Sequence, residues 1–225
     1  MSTEKIIEYY NQLASEYDEN RFGNSYGQFI DFQERKILNK IFKNQSGKIL
    51  DLACGSGRLT NFATSGADAS EEMLKIAQKK HSKKEFFQAK SNDLPFEKES
   101  FQGCLTFHFI MHLDEVIFKK TIDEIHRILS KNGTFVFDIP VKSRRKILNQ
   151  NQENWHAALS FNQDEIEKFI KNKFEIRKKF GLLIIPIHRI PKRFRKYFLT
   201  FDFLLSNFGL LKNLSSYHIY ELRKI

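Results

Sequence analysis

The chain has 225 residues, 41% of them hydrophobic, enough for one substantial core and better suited to one domain than to two. Its two cysteines, Cys54 and Cys104, lie far apart with no metal-type spacing, which argues against a disulfide framework or a zinc site and suits a reducing cytoplasm. No apolar run approaches a membrane span, the opening MSTEKIIEYY lacks the apolar core of a signal peptide, and the net charge of +10 resides in residues 141–225, where 18 Lys and Arg face 7 Asp and Glu.

Strands and helices alternate along the chain. Lys48 to Ala53 reads as a buried strand that runs into glycines at Gly55 and Gly57, and Arg58 to Ala63 as the start of a short helix. A brief strand ends at Asp68, Ser70 is a fitting N-cap with Glu71 and Glu72 in the first turn, and Met73, Leu74 and Ala77 give the next helix an apolar face. Glu85 to Ala89 is a third strand and FQGCLTFHF a fourth, β-branched and aromatic in character. Asp114 caps a helix whose apolar face repeats at Ile117, Phe118, Ile122, Ile125, Ile128 and Leu129, and whose end is expected at Asn132 and Gly133. TFVFDIP follows as a fifth strand. Such alternation predicts an α/β fold, a doubly wound and mostly parallel sheet with ligands at the carboxyl ends of its strands. Beyond Val141 a helix over Gln163 to Lys171, a strand over Phe174 to Ile185 and a final strand over Tyr217 to Leu222 complete seven strands.

The stretch ILDLACGSGRLT places an acid, Asp51, just before a glycine turn. A dinucleotide fingerprint would require a third glycine where Thr60 stands, and its strand seldom carries such an acid. DLACGSG resembles motif I of the class I S-adenosylmethionine-dependent methyltransferases, and ADASEEML, NDLPFEKESF and EIHRILSKNGTFVFDIP resemble later motifs of that family in the same order. Tyr17-Asp18 with Arg21-Phe22 resembles the family's N-terminal lid. The resemblance implies a Rossmann-like sheet with an antiparallel last strand. It also implies one domain, with lid helices over 1–46, a cofactor-binding core over 47–140, and a C-terminal part over 141–225 that holds a helical insert at about 189–213.

S-adenosylmethionine carries an ammonium, a carboxylate and a sulfonium, so a site for it needs acceptors as well as donors. By the resemblance, Asp51 serves the amine directly or through water, Ala53, Gly55 and Gly57 give the backbone room, and Asp68 accepts from the ribose hydroxyls. Ala69 and Met73 line the adenine face, Ser91 and Asn92 supply the adenine hydrogen bond where relatives carry an acid at Lys90, and Tyr17, Arg21 and Phe107 complete the cofactor set. Ala53 replaces the first glycine of the motif, a change of one methyl group. His108 and His112 follow the fourth strand; His112 is the candidate general base, although a histidine among such aromatic and aliphatic neighbours is more often structural.

In the insert, Phe194, Phe198, Phe201, Leu205 and Phe208 recur with helical period behind Lys192, Arg193, Arg195 and Lys196. The first expectation is a stripe packed on the sheet or lid with its lysines in water; the second is an apolar or lipid-linked acceptor met at an anionic membrane. The reading is thus a methyltransferase of a small acceptor, monomeric or homodimeric. An RNA or protein acceptor and a non-catalytic binding protein stand as alternatives, nucleic acid being weakened by the lack of any RNA module or nucleobase-methylating motif.

Overall fold

The computed structural model describes residues 3–147 and 160–225. Seven strands form one sheet: β1 (Ile49–Leu52), β2 (Ser65–Asp68), β3 (Glu85–Gln88), β4 (Phe101–Thr106), β5 (Leu129–Pro140), β6 (Phe174–Leu182) and β7 (Tyr217–Lys224). Their order is β3-β2-β1-β4-β5-β7-β6, and β7 runs antiparallel to both its neighbours while the other six are parallel. The strand order reverses beside β1, between β2 and β4, and a doubly wound sheet opens its ligand crevice at such a point.

Alternation along the strands sorts the core into two layers. Leu50, Leu52, Cys104, Phe135 and Phe137 point to one face, where α4 (Glu115–Ile128) and α6 (Gln163–Ile170) cover them through Ile122, Ile125 and Ile166. Ile49, Leu105, Val136 and Ile219 point to the other, against Ile37 and Leu38 of α2 (Ser25–Phe42) and residues of α7 (Lys192–Ser206). Each fully buried Leu or Ile contributes roughly 1.5–3 kcal/mol. Asp51 and Asp138 occupy the same phase as Ile49 and Val136, so both acids are carried toward α2.

Local chemistry sets the helix ends. Ser70 accepts from the Met73 amide at the start of α3 (Glu71–Lys80), Asp114 from the Ile117 amide at the start of α4, and Asn162 with Glu165 forms a capping box on α6. Four sequence expectations are corrected. The helix begun at Arg58 is one 3-10 turn, Thr60–Phe62, because too few residues separate β1 from β2 for more. Helix α4 stops at Ile128, where Leu129 turns extended, and Asn132 and Gly133 lie inside β5, in an irregularity between the pairs Phe101–Leu129 and Gly103–Thr134. Strand β6 ends at Leu182, since Leu183 is left-handed (φ 58°) and the Ile184 and Ile185 amides turn to the Asp202 carboxylate.

The fourth correction concerns α7. Its buried side carries Asp202 and Ser206, with Phe198, Leu199 and Phe203 partly buried beside them, and Gln33 donates to Asp202 at 2.6 Å to fasten the helix to α2. Phe194, Phe201 and Phe208 of the expected packed stripe instead face water. The polar bond to Gln33 and the two backbone amides fix the rotation of the helix and override the apolar period.

Candidate functional site

A cavity of about 510 Å³ opens at the carboxyl ends of β1, β2 and β4, within the ~300–1,000 Å³ usual for small-ligand sites. Of the thirteen site residues expected from sequence, ten line it: Tyr17, Ala53, Gly55, Asp68, Ala69, Met73, Ser91, Asn92, Phe107 and His112. Asp51, Arg21 and Gly57 do not.

Asp68 is the polar centre of this cavity. Its Oδ2 accepts from the Gly55 amide at 2.8 Å and its Oδ1 from the Ser70 amide at 2.8 Å, so one carboxylate locks the glycine turn to the cap of α3. Burial outweighs those bonds and raises its pKa above the ordinary carboxylate range. Gly55 is left-handed (φ 52°), and a Cβ built there would meet nothing nearer than Met73 Sδ at 4.0 Å, so its backbone faces open space. Ala53 is left-handed too (φ 55°), a conformation that glycine adopts without strain. Gly57 serves the fold itself, for its φ is 81° and a Cβ would come within 2.9 Å of the His81 ring, whose Nε2 bonds the Gly57 carbonyl at 2.8 Å.

Asp51 borders a smaller hollow beside the cavity, shared with Tyr17, Ala53, Gly55, Phe107 and His108. Its carboxyl is buried and accepts from Thr60 Oγ1 at 2.7 Å; desolvation, only partly offset by that bond and by Arg58, raises its pKa to about 7. Among the described residues no lysine or arginine forms an ion pair with it.

The N-terminal segment covers one side of the cavity. Ile6, Ile7 and Tyr10 of α1 (Thr3–Leu13) line it, and polar bonds staple the segment down: Ser70 Oγ donates to Asn11 Oδ1 at 2.6 Å, Ser56 Oγ to Asp18 Oδ1 at 2.5 Å, and Lys80 pairs with Asp18. Tyr10 Oη meets His112 Nε2 at 3.3 Å across the cavity. Arg21 is exposed on the π-helical turn Glu19–Gly23. Lys90 reaches Glu4 Oε1 at 3.3 Å, joining the cavity rim to α1. The Ser91 hydroxyl is bonded to Thr121 Oγ1 at 2.8 Å, so it holds the rim to α4.

A second polar group centres on His108, which the sequence places after the fourth strand; its partners Glu34 and Asp138 were not singled out. His108, left-handed at φ 55°, places Nε2 at 2.7 Å from Glu34 Oε1 and Nδ1 at 3.5 Å from Asp138 Oδ2, while its amide donates to Asp138 Oδ1 at 2.7 Å. Arg58 pairs with Glu34 Oε2 at 2.8 Å and with Asp31 Oδ1 at 2.6 Å, and its guanidinium stacks on Phe22. The neighbouring Arg58 and His108 charges hold Glu34 down to about 2 in spite of its burial, and the Glu34 and Asp138 carboxylates raise the His108 pKa. The three ligand atoms lie within 4.8 Å of one another, with the His108 ring between the two carboxylates. The sequence signal was an acid in an apolar strand, Asp138 within TFVFDIP, the same signal that exposes Asp51; Glu34 carries none.

A sheet of this order, with its last strand antiparallel, a glycine turn after β1 and an acid at the tip of β2, is the Rossmann-like fold of class I S-adenosylmethionine-dependent methyltransferases. Residues 50–137 match the family model described as a methyltransferase domain. The chain is 34% identical over 137 residues to an uncharacterised protein of Methanocaldococcus jannaschii, covering 60% of this chain and 51% of that one. It is 28% identical over 148 residues to the ubiquinone/menaquinone biosynthesis C-methyltransferase of Campylobacter jejuni, covering 59% and 62%. The chain thus spans about half to three-fifths of the length of these relatives. Among solved structures, a Thermotoga maritima S-adenosylmethionine-dependent methyltransferase, described as a possible histamine N-methyltransferase, superposes with a TM-score of 0.70 at 18% identity over 96% of this chain and 98% of that one.

Proposed function

We propose that the protein transfers a methyl group from S-adenosylmethionine to a small, apolar acceptor. The observation that carries this reading is Asp68 at the cavity wall, both carboxylate oxygens held by backbone amides, beside a glycine backbone with open space before it. Those features fit the cofactor: Asp68 retains acceptor capacity for ribose hydroxyls, and Gly55 leaves room for the amino acid portion. Ala69 and Met73 offer apolar surface to the adenine. With the Ser91 hydroxyl occupied, the adenine hydrogen bond falls to Asn92 or to the backbone there. Asp51, buried and without a cationic partner, suits the ammonium, reached through the adjoining hollow.

When bound, S-adenosylmethionine supplies an electrophilic methyl group on a sulfonium. The protein's part is to orient the acceptor and exclude water, and much of the acceleration in such displacements comes from positioning. Ile6, Ile7, Phe109, Leu113 and Ile117 form the apolar part of the cavity, so the acceptor is apolar where it touches them. The relatives named as quinone-pathway methyltransferases support an acceptor of that kind, lipid-linked in the fuller form of this reading. His112, on the cavity wall, is the group assigned to take a proton from an acceptor that presents one. Two buried free cysteines suit a cytoplasmic site of action.

Titration calorimetry with S-adenosylmethionine and S-adenosylhomocysteine, paired with thermal shift, tests the proposal, since a ligand of the native state raises the melting temperature. Binding of both, lost in Asp68→Ala, is expected. No heat and no shift with either compound would remove the proposal.

A further inference from the structure

We propose that the outward face of α7 and the 3-10 segment after it (Gly209–Leu214) is a docking surface for an anionic lipid bilayer. Phe194, Tyr197, Phe201 and Leu204 advance by three, four and three residues, so they share one side of the helix, and they and Phe208, just beyond its end, are 43% to 73% exposed. That side is opposite the one that carries Asp202 and Ser206 into the fold. Leu210, Leu211 and Leu214 extend it, and Gly209 (φ 45°, with nothing near its missing Cβ) makes the turn between the two parts. Monomeric soluble proteins seldom leave so continuous an apolar surface uncovered.

Charge selects the occupant. Residues 186–216 hold six Lys and Arg and a single acid, Asp202, which is buried and bonded to Gln33 and two backbone amides. Arg193 lies over the Phe194 ring and Lys196 over the Tyr197 ring, at 4.7 and 5.1 Å, while Lys36 from α2 covers Phe203 at 4.4 Å. Cations that edge an apolar face along their own stems are the arrangement of a helix lying in a lipid interface, with rings among the acyl chains and ammonium groups at the phosphates. No helix among the described residues is long and apolar enough to cross a membrane, so the contact is peripheral.

Topology gives the face a purpose. The segment joins the end of β6 to the start of β7, and Tyr217 pairs with Pro140 at the carboxyl end of β5, the end of the sheet where the cavity opens. A bilayer against α7 would therefore meet the protein at the end through which an acceptor enters. The inference goes beyond methyl transfer, and vesicle binding needs no acceptor, so its failure would leave the cofactor proposal standing.

The experiment is co-sedimentation of the full chain with phosphatidylcholine vesicles, with and without 30% phosphatidylglycerol (roughly the charge density of an anionic leaflet), at low and high salt. Binding to the anionic vesicles alone is expected, weakened by salt. Phe201→Ser with Leu204→Ser, and separately Arg193→Glu with Lys196→Glu, should each lower the bound-to-free ratio about tenfold or more. All four positions are exposed, so unchanged melting temperatures and S-adenosylhomocysteine affinity verify folding. Absence of sedimentation at low salt would overturn the proposal. So would sedimentation indifferent to the apolar pair, or a wild-type dimer that this pair converts to monomer without any vesicle binding, which would make the face a self-association surface.

Discussion

Replacing Asp51 with asparagine should move stability and cofactor affinity in opposite directions. In the folded protein the Asp51 carboxyl has its pKa raised from an ordinary 3.8 to about 7, chiefly because burial disfavours its charge. A group that binds its proton more tightly when folded contributes stability fully below pH 4 and loses it as pH rises through about 7. Above that, the ionised carboxylate burdens the ligand-free fold by roughly 4 kcal/mol, taking 1.36 kcal/mol per pH unit. Asparagine keeps an oxygen for the Thr60 hydroxyl and carries no charge. Asp51→Asn without ligand should therefore be more stable at pH 8 by up to ~4 kcal/mol, at about 2–4 °C in Tm for each kcal/mol in a chain of this size, and the two proteins should converge toward pH 4.

Ligand reverses the order. An ammonium beside Asp51 favours the ionised form, so wild-type affinity for S-adenosylhomocysteine should rise with pH through about 7. In Asp51→Asn it should be flat with pH and weaker by about 10- to 100-fold, the loss of one hydrogen bond to a charged group. Thermal melts from pH 5 to 8.5 with and without ligand, together with calorimetry, measure both effects on one pair of proteins. A ligand-free variant less stable than wild type at pH 8, or a wild-type affinity indifferent to pH, would refute the argument.

Four further outcomes are expected. Ala53→Gly relieves a left-handed alanine and should stabilise the fold by about 1 kcal/mol in denaturant titration. Glu34→Gln removes a carboxylate held at about 2, whose stabilisation is present above pH 4.5 and lost as pH falls toward 2; it should cost about 3 kcal/mol at pH 7, a gap that closes in acid unfolding. Asp68→Asn should weaken S-adenosylhomocysteine about tenfold or more by calorimetry, because one of its two acceptor oxygens becomes a donor facing a backbone amide. His112→Ala should leave that affinity unchanged while lowering kcat by about 100-fold or more on an acceptor that must lose a proton, and undiminished turnover would remove the base assignment.

Much of the fold is legible because its signals are local. The caps at Ser70 and Asp114 and the acid before the glycine turn each act within a few residues, and they fall where the sequence puts them. The end of α4 is not legible in the same way, because Asn132 and Gly133 make as good a bulge within a strand as a stop for a helix, and β4 pairing at Phe101 decides between them. For α7 the sequence shows the period but not the rotation. Asp202, one acid among aromatic residues, turns inward because it meets Gln33 and the two amides freed at the end of β6, partners 169 and 17–18 residues away along the chain. Periodicity locates a face; a distant polar partner determines which face is buried.

The same reasoning orders the acids at the functional end of the sheet. Glu34, Asp51, Asp68 and Asp138 all cluster there with their carboxyls shielded, and they differ in what answers their charge. Glu34 has Arg58 and His108, and Asp138 has the His108 ring and amide. Among the described residues Asp68 is bonded by backbone amides and Asp51 by a hydroxyl, with no ion pair to either. A buried carboxylate without a cation costs stability unless a ligand supplies what is missing. The two acids without an ion pair among the described residues are the two that border the hollows, whereas the two that pair with His108 line neither. Under the proposed function, that difference matches Asp51 to the positive charge of the cofactor and Asp68 to its neutral donors.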